Sequence, residues 1–186
     1  VQGEEADDVI ALLVQKVEGN HHIITVDEDL LQLLNDRVSL KVGHNHFTWE
    51  LDADRATSKG TSIRHLVLYK AIVGDSSDEY GGVKGLGPKA WEALAAAVGR
   101  EGLDWMLQAV ENNWSDAFMQ WAGNSGHKVL MSLAANWVEL RKGWQLAKLN
   151  PEICFGSYDG KPKRPQWHVR IPDLDKLTKL LTEVNS

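Results

Sequence analysis

The chain reads as an α/β protein whose sheet layer fills residues 1–60 and then gives way to helices. Three observations predict this. Before residue 60, short runs rich in β-formers ("HHIITV", "VSLKV", "HFTWEL") are interleaved with segments of helical periodicity, the alternation expected of a sheet layer covered by helices. From Thr61 onward, apolar residues recur every three to four positions with few strand signals. The 186 residues, 43% hydrophobic and 25% charged, are enough for one sizeable core or two small ones.

In order along the chain, "EEADDVIALLVQKVEG" predicts an amphipathic helix with Ala6, Ile10, Leu13, Val14 and Val17 on one face and Gly19 just past its end. "HHIITV" predicts a strand that feeds a second helix over "DEDLLQLL". "VSLKV" and "HFTWEL" predict a strand pair turned by "GHN". Helices are expected over "TSIRHLVLYKAIV", "GPKAWEALAAAVG", "LDWMLQAVENN" and the stretch 126–149, making 61–149 a helical region. Residues 150–186 open with the Pro- and Gly-rich "NPEICFGSYDGKPKRPQW", an irregular arm, and close on a short helix starting near Pro172. Six of the eight tryptophans (Trp91, Trp105, Trp114, Trp121, Trp137, Trp144) fall in the helical region among Leu, Val and Ala. Their spacing predicts core packing rather than stacking on bases.

No run reaches the roughly 18 apolar residues of a membrane helix. The lone Cys154 excludes an internal disulfide framework and a cysteine-built zinc site, and a reducing cytoplasm is expected. The net charge of −6 argues mildly against a nucleic-acid partner, but it is unevenly spread. Residues 1–80 carry fifteen acidic and seven basic side chains, whereas residues 81–186 carry eleven and thirteen.

The acidic excess is grouped: Glu5, Asp7 and Asp8; then Asp27 and Asp29; then Asp75 and Asp78. Each group has a plain structural use. Acids in a first helical turn gain about 0.3–1 kcal/mol from the helix dipole. Asp27 can cap the helix after its strand, and Asp75 can cap a turn. Taken together they ask for more. Asp27 and Asp29 stand at the carboxyl end of a strand, where open α/β sheets bind ligands. Glu5 and Asp8, one turn apart, repel by about 0.2–0.5 kcal/mol unless neutralised. Carboxylates concentrated without a basic partner nearby in sequence suit hard cations with oxygen ligands, Mg²⁺ or Mn²⁺ above all. Two such ions about 3.5–4 Å apart can drive phosphodiester hydrolysis.

The segment "GGVKGLGPK" adds a second kind of chemistry. Gly82, Gly85 and Gly87 permit a tight turn and close approach of another backbone, and Pro88 suits a first helical position. Open amides at a helix start favour phosphate, and Lys84 and Lys89 add charge. This is the pattern of a helical hairpin that grips a DNA backbone without reading bases.

In combination and in this order, "GEEADDVIALL", "ITVDEDLLQLL" and "YKAIVGDSSDEYGGVKGLGPKAWEAL" resemble the 5′-nuclease superfamily, especially bacteriophage 5′→3′ exonucleases/flap endonucleases and the 5′-nuclease domain of bacterial repair DNA polymerases. The motifs span residues 3 to 94. The resemblance implies that residues 1–60 are the remainder of a PIN-like 5′-nuclease α/β core. It further implies that 61–149 is a helix-three-turn-helix (helix-hairpin-helix) region that binds DNA. Asp27, Asp29, Asp75 and Asp78 would surround one metal ion, with Glu5, Asp7 and the neighbouring Asp8 nearer a second. Of these, Glu5, Asp7, Asp27, Asp29, Asp75 and Asp78 would serve catalysis. Gly82, Lys84, Gly85, Gly87 and Lys89 would bind DNA, and the carbonyls of Gly82 and Leu86 would hold a potassium ion. The implied cofactors are Mg²⁺ or Mn²⁺, two ions in the complete enzyme. The implied partner is branched or 5′-ended duplex DNA, taken without sequence preference by a monomer with no membrane contact, in a bacterial or phage-infected cytoplasm.

Two departures stand out. Where the family usually has Asn-Ile-Pro this chain reads Glu79-Tyr80-Gly81, and the sequence opens on Val1 without the family's upstream segment. That segment brings a first strand with its aspartate, further acidic residues and a basic helical arch. The expectation is therefore an N-terminally truncated nuclease that binds duplex DNA weakly and cuts little by itself. A non-catalytic helix-hairpin DNA-binding module is the main rival. An RNA-cutting relative is disfavoured by the glycine hairpin, and a structural domain requires all three motifs to be coincidental. In the tail, Lys161, Lys163, Arg164, His168 and Arg170 read either as a phosphate-binding arm or as a solvated loop.

Overall fold

A computed structural model describes residues 5–75 and 80–149, all within one compact unit. The sequence-predicted arm and terminal helix of residues 150–186, with the basic cluster there, lie outside the described residues, as do Glu4 and Asp78. Helix α1 (Ala6–Lys16) leads into β1 (His21–Thr25), a 3-10 turn (Glu28–Leu33) and β2 (Val38–Val42). Strand β1 runs parallel to β2, with Ile23 opposite Leu40, and β3 (Asn45–Phe47) returns antiparallel with Phe47 opposite Leu40. The alternation in β2 sends Val38, Leu40 and Val42 into a core with Val14, Leu30, Leu31, Leu34 and Phe47. This is the α/β layer that the sequence predicts.

Two local expectations change. "DEDLLQLL" winds as 3-10 rather than α-helix, closing at Leu34, whose N–H donates to the Leu31 carbonyl (3.1 Å). Only the start of "HFTWEL" is strand. Asp52 accepts the Thr48 amide (2.8 Å) and turns Trp49–Asp52 into a short helix, α2.

A hairpin-like excursion follows (Ala56 bridges Ser62), then a 3-10 turn (Ile63–His65) and α3 (Leu66–Val73). Leu68, Ala71 and Ile72 of α3 are buried in a second, larger core. Around it pack α4 (Pro88–Glu111, broken at Gly99, φ 63°), α5 (Ser115–Ser125), α6 (Lys128–Ala135) and α7 (Trp137–Ala147). Helix α7 lies directly on α3: a Cβ at Gly143 would come within 2.6 Å of the Ala71 carbonyl oxygen. Trp91, Trp137 and Trp144 are buried and Trp105 and Trp121 pack against them, as their spacing predicts. Trp114 is the exception, 45% exposed just before α5. Leu66 belongs to the first core and Leu68 to the second, so α3 is shared between them. That shared helix is what carries charge into the site.

Candidate metal and DNA site

At the carboxyl end of β1 the chain turns through Asp27, whose amide donates to Thr25 Oγ1 (3.0 Å). The Asp27 carboxylate caps the 3-10 turn by accepting the Asp29 amide (2.9 Å), and this fixes the direction of Asp29. Asp75 arrives from the other side, just after α3. Its backbone pairs with Tyr80 in both directions (3.0 and 3.2 Å). Asp29 and Asp75, 46 residues apart, meet on one cation: the Lys70 ammonium binds the Asp29 carboxylate and lies 2.9 Å from Asp75 Oδ2. Lys59 reaches the same Asp75 oxygen at 2.8 Å. The Asp75 and Lys70 side chains are only 3% and 2% exposed. Burial pushes the Asp29 carboxyl above its ordinary range, opposed by Lys70 and reinforced by the negative charge of Asp27.

Sequence reasoning saw these carboxylates without a basic partner, and the fold corrects it. The signal for Lys70 was available as a charged residue inside the otherwise apolar helix "LVLYKAIV". Lys59 had none, since it sits in an ordinary turn and reaches Asp75 only through tertiary structure. Glu5, Asp7 and Asp8 lie at the start of α1, where Asp7 accepts the Asp8 amide (2.8 Å). Among the described residues, no three His, Cys, Asp or Glu side chains stand close enough to form a ready ion cage. What does come together is the Asp29–Asp75 pair with Asp27 at its edge. The donor chemistry fits a hard divalent ion: the groups are carboxylate oxygens whose buried charge already requires cations, here the two ammonium groups.

The glycine hairpin begins beside Asp75. Gly82 (φ 62°) and Gly74 (φ 88°) touch backbone to backbone, and a Cβ on Gly82 would come within 2.4 Å of the Gly74 amide nitrogen. The close approach predicted for Gly82 is present, and its partner Gly74 is a residue the sequence reading passed over. Val83 is buried, and its amide donates to the Ile72 carbonyl (2.8 Å), pinning the hairpin to α3. Lys84 and Lys89 are exposed. Gly87 caps α4 and Pro88 takes its first position. The Ala90 amide already donates to the Gly87 carbonyl (2.9 Å) and Pro88 has no N–H, so the helix start offers fewer open donors than its sequence implies. Tyr80, Gly81 and Gly82 line an open groove of about 430 Å³ together with Glu139, Lys142 and Leu146.

No protein-family model matches the chain. DNA polymerase I of Deinococcus radiodurans is 41% identical over 100 residues, which is 52% of this chain and 10% of that protein. The thermostable DNA polymerase I of Thermus aquaticus is 30% identical over 180 residues, 89% of this chain and 18% of that protein. The 5′-3′ exonuclease of Bacillus subtilis is 40% identical over 92 residues, 47% of this chain and 31% of the relative. These similarities support the 5′-nuclease superfamily for this chain. Solved structures agree on the superfamily fold. The bacteriophage T5 5′-exonuclease with bound zinc aligns over 100% of this chain and 62% of its own, with a TM-score of 0.56 at 22% identity. The flap endonuclease of the same phage, in complex with DNA and metal ions, aligns over 99% and 61%, with a TM-score of 0.56 at 21% identity. The chain thus spans between a tenth and a third of these curated superfamily relatives' length.

Proposed function

We propose that this chain carries part of the active centre of a structure-specific 5′ nuclease, a flap endonuclease or 5′→3′ exonuclease that hydrolyses DNA phosphodiester bonds with two divalent ions. The observation that carries the reading is the convergence of Asp29 and Asp75 on one buried ammonium beside the glycine hairpin. In this reading Asp27, Asp29, Asp75 and Asp78 hold one Mg²⁺ or Mn²⁺, and Glu5, Asp7 and Asp8 lie toward the other. The chemistry such ions supply is activation of water and neutralisation of charge on the leaving oxygen. The chain's own contribution is orientation: Asp27 aims Asp29 through its amide, and the Asp75–Tyr80 bridge fixes Asp75.

The hairpin from Gly82 to Lys89 would hold the duplex backbone with Lys84 and Lys89, leaving Gly82 and Leu86 carbonyls for a potassium ion. The substrate would be branched or 5′-ended duplex DNA, bound by a monomer in the cytoplasm. The wider protein would supply what this span lacks, and the span alone would cut little. In the full-length protein, Asp75→Asn should lower Mn²⁺-dependent cleavage of 5′-flap DNA by more than about a hundredfold while sparing duplex binding. Retained cleavage would reject the assignment.

One observation favours a second reading, a DNA-binding module without metal chemistry: Lys59 and Lys70 already neutralise the paired carboxylates. Calorimetry with Mn²⁺ separates the two, because such a module binds the ion no better than the millimolar background.

A further inference from the structure

We propose that Lys59 is an internal counter-ion of the metal site, holding the place of a divalent cation at Asp75 and swinging out when the cation binds. The inference rests on the metal reading given above and concerns how that site is filled. Two ammonium groups share Asp75 Oδ2, Lys59 at 2.8 Å and Lys70 at 2.9 Å. A metal ion ligated by this carboxylate would be placed against both positive charges, and at contact distances in a partly buried site such repulsion is strong. One of the two must yield, and the fold decides which. The Lys70 side chain is only 2% exposed within α3, with its stem among core residues, so withdrawing it would open a cavity.

Lys59 is 28% exposed and stands on a turn at the surface. That turn is fixed independently of the ion pair. The Thr57 amide and hydroxyl both donate to the Thr61 carbonyl (2.7 and 3.0 Å), the Gly60 amide donates to the Thr57 carbonyl (3.0 Å), and Ser58 is bonded to the Glu28 carboxylate. The backbone can stay where it is while the flexible Lys59 stem rotates toward water. The turn therefore works as a strap tied to the Asp27–Asp29 segment through Glu28, with a releasable charge at its tip.

Two measurements on the chain test this. Mn²⁺ titration should give Lys59→Met an affinity roughly tenfold tighter than the parent, since one competing charge is gone. In the unmodified chain, mass-spectrometric footprinting with an amine-acylating reagent should show Lys59 labelling accelerate on Mn²⁺ saturation while Lys70 stays unlabelled. Equal affinities for the two proteins, or Lys59 labelling unchanged by saturating Mn²⁺, overturns the proposal while leaving the metal site standing. Absence of Mn²⁺ binding in both proteins overturns the metal reading and this inference with it. Binding that appears only in Lys59→Met supports the competition directly.

Discussion

Two buried basic side chains lie five residues apart, and the protein keeps them by opposite chemistry. Lys70, 1% exposed, is held as a cation between the carboxylates of Asp29 and Asp75. His65, 4% exposed, is held by hydrogen bonds: its Nε2–H donates to Asp104 (2.8 Å), leaving Nδ1 to accept the Ser62 hydroxyl (2.9 Å). Burial drives the His65 pKa below its ordinary 6.5 despite the pull of Asp104, so the ring is neutral at physiological pH. One polar centre keeps its charge and borders the proposed chemistry, whereas the other discards its charge and ties α4 to the segment that precedes α3. A buried charge is retained where anions must be gathered, and avoided where a link between elements is enough.

The sharpest way to break this contrast is Lys70→Ala. It leaves Asp29 without its ammonium partner and Asp75 with Lys59 alone in a partly buried site, and should cost about 3–5 kcal/mol, read from urea unfolding. If the carboxylates form a metal site, millimolar Mn²⁺ should recover a large part of that loss, because an ion that binds only the folded state adds stability by mass action. A divalent ion should do nothing for His65→Gln, whose cost comes from a neutral link. Equal responses of the two variants to Mn²⁺ would erase the distinction.

Much of this arrangement was legible beforehand because it rests on local rules. Asp27 and Asp29 follow a β-rich run, α1 is announced by its apolar spacing and acidic start, and the Gly82 turn precedes a proline at a helix start. What could not be read depends on contacts distant in sequence. Nothing near Lys59 betrays that it meets Asp75, 16 positions away. Gly74 directly follows the helical run "LVLYKAIV", and nothing local marks it as the partner of the Gly82 backbone. Trp114 followed the helical rhythm of its neighbours, yet it precedes the first turn of α5 and faces water. Thr48 and Asp52 turned a strand signal into a helix through one side-chain hydrogen bond.

A smaller effect sharpens the His65 half of the comparison. A histidine whose folded pKa is lowered favours folding in its neutral form. Its stabilising effect is complete above the unfolded value near 6.5 and is lost as pH falls from there through the depressed folded value. Unfolding free energy measured across that interval should therefore drop more steeply for the parent chain than for His65→Gln, and the two curves should run parallel above pH 7. Parallel curves at every pH would mean the imidazole titrates as though exposed.

The smallest expected change in stability is the most discriminating about function. Asp27 has two possible jobs, capping the 3-10 turn through the Asp29 amide and holding a metal ion. Asparagine performs the first almost as well, since its carbonyl oxygen can accept the same amide and Asn ranks with Asp as a capping residue. Asp27→Asn should therefore shift stability by no more than about 0.5 kcal/mol. If the carboxylate also faces the ion, Mn²⁺ affinity should fall by roughly tenfold or more with no change in the unfolding midpoint of the metal-free chain, because a neutral amide is a poorer ligand for a hard cation. Unaltered affinity would confine Asp27 to its capping role and shift the metal reading onto Asp29, Asp75 and their neighbours. A loss of both affinity and stability would instead mean that the cap and the ligand are one inseparable interaction.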